Sequence, residues 1–239
     1  MKKILSILLS IVVIFALGGC GSKKAAVVTD KKVITVGASP IPHKEILEVV
    51  KPLLAKEGYT LKIVEFTDYV TPNTALAEKQ LDANFFQHVP YLTEFSKEKG
   101  LDLTWTVKVH IEPMALYSNK YKKLSDIKNG ASIAIPNDPS NGARALRVLE
   151  KAGLLKLKTG DLISKLDITS NPKNLKITEL DSPQLPRILK DMDAAVINSN
   201  YAIEAKLKLT DALAVEAKDS PYANVLAVRK EDKDKPYIK

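Results

Sequence analysis

One cysteine, one tryptophan and three histidines are a sparse supply, for 239 residues, of the side chains that most often carry metal, redox or nucleophilic chemistry. The single cysteine, Cys20, excludes an intrachain disulfide and a cysteine-built zinc cluster. No G-x-S-x-G, H-E-x-x-H or G-x-x-x-x-G-K-[ST] occurs, so the local signatures of serine hydrolases, zinc proteases and P-loop nucleotide enzymes are missing. His43, His88 and His110 lie 45 and 22 residues apart, a spacing that matches no local metal motif, although ligands distant in sequence can still converge in space. Also absent is an apolar run of membrane-spanning length. The uncharged stretch from Ile4 to Leu17 has 14 residues, short of the ~18 needed to cross a bilayer.

What that stretch does have is the layout of an export signal: Lys2 and Lys3 before it, Gly18 and Gly19 after it, then Cys20. The segment "LGGC" resembles the lipobox of bacterial lipoproteins, whose cysteine is diacylated and becomes the first residue of the mature chain. Residues 1–19 are therefore expected to be a removed leader and Cys20 the lipidation site. Residues 20–32, small, polar and lysine-rich, form the expected flexible tether. The protein is thus expected at the cell membrane, lipid-anchored on the extracytoplasmic face. Setting aside Lys2 and Lys3, 34 basic side chains face 28 acidic ones, a formal charge of about +6. The lysines are interspersed with acids, as in "KEILEVVKPLLAKEG", and form no basic stripe interleaved with aromatics, which argues against a nucleic-acid partner.

From Val33 onward the hydrophobic period switches repeatedly between two and 3.6 residues. Strands are expected at Val33 to Ser39, Leu61 to Thr67, Ala83 to His88, Ala131 to Asn137, "LKITELD", "AAVINS" and "NVLAVRK". Helices are expected from Ile46 to Gly58 with a kink at Pro52, from Thr74 to Leu81, from Pro90 to Gly100, from Ala143 to Gly153, and from Leu185 to Lys190. This alternation predicts an α/β protein with parallel sheets covered on both faces. The extended segment "LDLTWTVKVHIEPMALYS" and the late strand "NVLAVRK" would link two lobes through a hinge, with a cleft between them.

Three clusters follow the expected strands, where α/β sheets place their ligands. The first is aromatic: residues 66 to 95 hold Phe66, Tyr69, Phe85, Phe86, Tyr91 and Phe95, six of the chain's 14 aromatics, with His88 among them. Alternation along a strand puts Phe85 and Phe86 on opposite faces, so at least one belongs to a core, and Tyr69, Phe86 and Tyr91 are the candidates for the site. The second is "PNDPSNGARALR", where Ser140 or Asn141 can cap a helix and Arg144 stands in its expected first turn. A cation there opposes the helix dipole, and a bound carboxylate would explain it; pairing with Glu150 or water would also do so. The third is a set of amides, Asn198, Asn200 and Asn224, able to meet both ends of a zwitterion or to serve as ordinary turn residues.

The blocks "VEFTDYVTPNTAL", "LDANFFQHVPYL", "VHIEPMALYS", "IAIPNDPSNGARALRVLEKAGLLKL", "DAAVINSNYA" and "DSPYANVLAVR" resemble the NlpA family of methionine-binding lipoproteins, the substrate-binding components of methionine ABC importers. The resemblance implies a type II periplasmic-binding-protein fold. Its expected lobes are residues 33–114 with 221–239, and residues 115–220. It implies a non-enzymatic, cofactor-free and monomeric protein that delivers methionine to a permease and its ATPase. It further implies a methionine side chain among Tyr69, Phe86, His88 and Tyr91, a carboxylate at Arg144 with Asn141 nearby, and Asn224 at the backbone end, with less constant roles for Asn198 and Asn200. Members of that family continue with a further helix beyond the point matching "KPYIK", so the first lobe is expected to be truncated at its C-terminal end. The rival expectations are a metal-binding lipoprotein using His43, His88 and His110, and a surface-interaction lipoprotein with no small-molecule ligand.

Overall fold

The structure is a computed structural model that describes residues 31–217 and 220–239. The expected leader, Cys20 and most of the tether lie outside the described residues. The tether's last two positions lie within them and already belong to the fold: Lys31 pairs with Asp82, and the Lys32 carbonyl accepts from Thr60 N at 2.7 Å.

The first half of the chain alternates as its periodicity predicts: β1 (Val33–Ala38), α1 (Glu45–Lys56), β2 (Thr60–Glu65), α2 (Thr71–Ala77), β3 (Ala83–His88), α3 (Val89–Lys99) and β4 (Leu103–Ile111). Gly58 at φ +81 and Gly100 at φ +65 supply the left-handed turns that close α1 and α3. Pro52 does not end α1, which runs on to Lys56. The carbonyl that Pro52 leaves without a helical donor belongs to Glu48, and both residues are exposed, so water can take the place of the lost bond. The short helix α2 starts three residues earlier than expected. Pro72 sits in its first turn, and Asp68 Oδ1 accepts from the backbone N–H groups of Val70 and Thr71, both at 2.7 Å.

The second half supplies β5 (Ala115–Tyr117), β6 (Ser132–Pro136), α4 (Pro139–Lys151), β7 (Lys156–Leu157), β8 (Ile168–Ser170), β9 (Lys176–Leu180), α5 (Leu185–Ile188), β10 (Ala194–Ile197), α6 (Ser199–Glu204), β11 (Ala214–Val215) and β12 (Ala223–Arg229). Two five-stranded sheets result, ordered β2-β1-β3-β12-β4 and β11-β5-β10-β6-β9, with β7 and β8 forming a small separate pair. Both sheets are mixed, which corrects the expectation of parallel ones. The β1 pairs with β2 and β3 and the β6 pairs with β9 and β10 are parallel, whereas β12 runs antiparallel to β3 and β4, and β5 antiparallel to β10 and β11. The antiparallel members are the strands that arrive from the other sheet: β5 follows β4, and β12 follows β11. A chain entering from outside a sheet is free of the helical crossover that forces a parallel neighbour.

These two crossings, residues 112–114 and 216–222, link the halves. The second sheet packs Ile133, Ile135 and Val196 against Leu146 and Leu149 of α4, each fully buried. At roughly 1.5 to 3 kcal/mol per buried aliphatic side chain, that face alone holds α4 firmly on its sheet. Around the first sheet, Ile34, Val36, Leu61, Phe85 and Val228 form the corresponding core, with Tyr237 and Ile238 packed on it. No helix among the described residues is long and apolar enough to cross a membrane.

Candidate ligand-binding site

Where β3 ends, all six of its residues are buried, so its two faces serve two different interiors. Phe85 enters the first-sheet core, while Phe86 on the opposite face joins Tyr91, Phe95 and Tyr69. Tyr69 is the hub of that wall, with ring centroids 5.8 Å from Phe86, 5.8 Å from Tyr91 and 5.0 Å from Tyr201. Each phenol is tied down: Tyr91 Oη donates to the Tyr69 carbonyl at 2.8 Å, Tyr201 Oη to the Thr67 carbonyl at 3.1 Å, and Tyr69 Oη to Asn200 Oδ1 at 2.5 Å. Burial pushes all three phenols above their ordinary range, so they are neutral donors at physiological pH.

His88 closes β3 and caps α3, its Nδ1 accepting from Tyr91 N at 3.1 Å. That bond leaves the ring proton on Nε2, which donates to Asn141 Oδ1 at 3.1 Å. Burial, reinforced by the Arg144 charge, lowers the His88 pKa to about 3, so the ring stays a neutral donor. Asn141 is itself held from both sides. Its Oδ1 also accepts from Asn198 Nδ2 at 2.9 Å, and its Nδ2 donates to both Asp138 oxygens at 3.0 and 3.1 Å. Asp138, rather than Ser140 or Asn141, caps α4, accepting from Asn141 N at 2.8 Å. Burial raises the Asp138 pKa, and the hydrogen bonds from Asn141 partly offset that rise.

Arg144 departs from expectation in two ways. It is the sixth residue of α4, a full turn beyond the helix start, so the dipole disfavours it little. It is also 3% exposed and already has an anionic partner within the chain. Its Nε and Nη2 donate to the two Glu216 oxygens at 2.8 and 2.5 Å, Nη2 also donates to the Glu112 carbonyl at 2.6 Å, and the guanidinium lies 4.4 Å from the Tyr222 ring centre. Glu150 plays no part here; it accepts from Leu157 N instead. The hydrogen bonds made by the described residues leave the Nη1 edge of the fork unused.

All nine residues singled out from the sequence line one nearly closed cleft, whose free volume of about 20 Å³ is of the order of one water: Tyr69, Phe86, His88, Tyr91, Asn141, Arg144, Asn198, Asn200 and Asn224, joined by Gln87, Glu112 and Ser199. Asn224 reaches it from β12, where it pairs in register with His88 and donates to Glu112 Oε1 at 3.4 Å. Asn198 Oδ1 is buried with no hydrogen-bond partner among the described residues. The cleft thus combines an aromatic wall, an unused guanidinium edge, an orphan acceptor and a carboxylate. Sequence reasoning missed Glu112 and Glu216, although both directly follow strands, because isolated acids in "HIEPM" and "AVEAK" look like surface charge. The three-histidine metal site does not form. His88 is engaged by Tyr91 and Asn141, while His43 and His110 meet each other and Glu112.

Comparison with known proteins agrees with this architecture. The sequence profile described as NlpA lipoprotein matches residues 34–239. The D-methionine-binding lipoprotein MetQ of Salmonella typhi is 45% identical over 231 residues, covering 94% of this chain and 83% of that protein. The methionine-binding lipoprotein MetQ of Bacillus subtilis is 43% identical, covering 100% of this chain and 90% of its own length. A nutrient-binding protein from Burkholderia cenocepacia, solved bound to methionine, superposes with a TM-score of 0.83 at 49% identity, over 86% of this chain and 88% of that one. The two mixed sheets, their double crossing and this extent of similarity place the chain in the NlpA lipoprotein family.

Proposed function

We propose that this protein is the substrate-binding lipoprotein of an ABC importer and that it captures methionine in the cleft between its two sheets. The observation that carries the reading is the convergence, in one cleft, of groups complementary to every part of that amino acid. The thioether lies against Tyr69, Phe86 and Tyr91, where a sulfur gains about 0.3 to 1.5 kcal/mol from a ring. The α-carboxylate takes the Nη1 edge of Arg144, with Asn141 beside it. The α-ammonium is met by the Glu112 carboxylate, the orphan Oδ1 of Asn198 and the Asn224 amide.

Residues 33–114 with 221–239 act as one lobe and residues 115–220 as the other, the crossings at 112–114 and 216–222 serving as the hinge. His88 to Asn141, Tyr69 to Asn200 and Tyr201 to Thr67 bridge the cleft, so admitting a ligand requires these bonds to open. The protein binds and releases without chemistry. Cys20 carries the lipid that holds the monomer on the extracytoplasmic face beside its permease and ATPase. Calorimetric titration of the purified protein with L-methionine, D-methionine and leucine tests the reading. Saturable 1:1 binding of a methionine isomer, tighter than leucine, is expected; equal or absent heats for all three would overturn it.

A further inference from the structure

His43 and His110 have no part in capturing the amino acid, yet they are arranged about Glu112 in a way that a hydrogen-bonded cluster does not require. His43 lies in the helical turn Pro40–Lys44 after β1, His110 near the end of the edge strand β4, and Glu112 in the first crossing segment. Both Nε2 atoms lie beside the same carboxylate oxygen, Glu112 Oε1, at 3.1 Å from His43 and 2.6 Å from His110. The ring centroids are 5.2 Å apart, and one donor atom from each of the three residues falls within 4.8 Å of the others. His43 is 1% exposed; its Nε2, 3.1 Å from Glu112 Oε1 and with the Asn224 amide nearby, makes no well-directed hydrogen bond among the described residues, while Ser39 Oγ holds its Nδ1 at 2.6 Å. One ring nitrogen oriented by a hydrogen bond and the other buried beside a carboxylate is the outer-shell pattern of a metal-ligating histidine.

We propose that His43 Nε2, His110 Nε2 and the Glu112 carboxylate form a site for a divalent transition-metal ion, zinc(II) in the first instance. Two imidazoles and one carboxylate suit zinc, with a fourth position left for water, and disfavour magnesium and calcium, which take oxygen ligands. Ligand atoms of one tetrahedral zinc lie about 3.3 to 3.4 Å apart. The His43 to Glu112 distance is already close to that. The His110 to Glu112 distance must widen by less than about 1 Å, which rotation of a carboxylate outside any strand can supply. An ion can approach from the cleft, which Glu112 lines, or past the His110 ring, which is 23% exposed.

The test is calorimetric titration of zinc chloride into the detergent-solubilised full chain after chelator treatment, with magnesium chloride as the contrast. One equivalent of zinc at micromolar or tighter affinity is expected, with no comparable magnesium heat. His110→Ala should weaken zinc by roughly 100-fold or more, because it removes one of three ligands. Its metal-free melting temperature, compared with wild type, establishes that it is folded, and His43→Ala provides a second ligand deletion. Cobalt(II) should give the visible absorption of a four- or five-coordinate site in wild type and lose it in His110→Ala. Equal zinc affinity in wild type and His110→Ala, or no wild-type binding up to about 1 mM, would overturn the site and leave the three side chains a plain hydrogen-bonded cluster. Because Glu112 also faces the α-ammonium in the proposed methionine pose, the methionine titrations are run on chelator-treated, zinc-free protein, so that failure of the metal site and failure of the methionine reading are told apart.

Discussion

Removing Arg144 is expected to cost both stability and affinity, and the structure separates the two. The Arg144 side chain is 4% exposed and that of Glu216 10%, and they share two hydrogen bonds at 2.8 and 2.5 Å. Arg144→Ala strands the Glu216 carboxylate in a nearly dry site, with Met114 N at 3.2 Å the one donor it retains among the described residues. Breaking a buried pair from one side costs about 3 to 5 kcal/mol. For a fold of this size, each 1 kcal/mol lowers the melting temperature by roughly 2 to 4 °C, so a fall of about 6 to 20 °C is expected. Replacing both partners, Arg144→Leu with Glu216→Leu, removes the stranded charge and should recover most of that loss. Methionine binding should not recover. Its carboxylate loses a charged partner in either variant, which is worth at least about 2 kcal/mol, or roughly 30-fold in Kd. Differential scanning calorimetry and isothermal titration on the three proteins make the comparison. Wild-type affinity in the double variant would refute Arg144 as the carboxylate partner. An unchanged melting temperature in Arg144→Ala would refute the buried pair.

Three further outcomes are expected. Because the folded-state pKa of His88 is about 3 and its ordinary value 6.5, the unfolded chain binds the extra proton first as pH falls. His88 therefore stabilises the fold fully above pH 6.5 and loses that contribution between about 6.5 and 3, which amounts to roughly 2 to 3 kcal/mol by pH 4.5. Buried His43, whose pKa is also lowered, first by burial, acts with the same sign. Urea unfolding at pH 7 and 4.5 should show a shallower pH dependence in His88→Gln than in wild type, and an identical one would contradict the burial of a neutral ring. Tyr69→Phe deletes the hydroxyl that bridges to Asn200 and should weaken methionine by about 0.5 to 1.5 kcal/mol in titration while leaving the aromatic wall in place; an unchanged Kd would remove that bridge from the closed, ligand-bound form. Cys20→Ser should move the protein out of the membrane fraction or leave an uncleaved precursor, and unaltered fractionation and fatty-acid labelling would count against the lipid anchor.

Much of this protein is legible along the chain because local chemistry decides it. Period-two and period-3.6 runs, with Gly58 and Gly100 as stops, mark β1 to β3, α1 and α3 to within a few residues. The alternation at Phe85 and Phe86 assigns one ring to the core and the other to the site without any knowledge of the sheet order. Two helix starts differ from the expectation although they too are local. Asp68 and Pro72 start α2, and Asp138 caps α4, each by bonds spanning three residues or fewer that competing candidates such as Ser140 and Asn141 concealed.

What tertiary structure alone decided are the pairings across long separations. The antiparallel places of β5 and β12 depend on which sheet the chain enters, and no hydrophobic period encodes that. Glu216 lies 72 residues from Arg144, so an arginine whose sequence position pointed to an external anion proved to have an internal one, with a single edge left over. Likewise His43 and His110 converge on Glu112 while His88 does not, a selection made by the turn after β1 and the edge of β4. Residue type and period report what a side chain can do with its near neighbours. The partner it meets is set by how two sheets, joined by two short crossings, bring distant carboxylates, amides and rings within hydrogen-bonding reach.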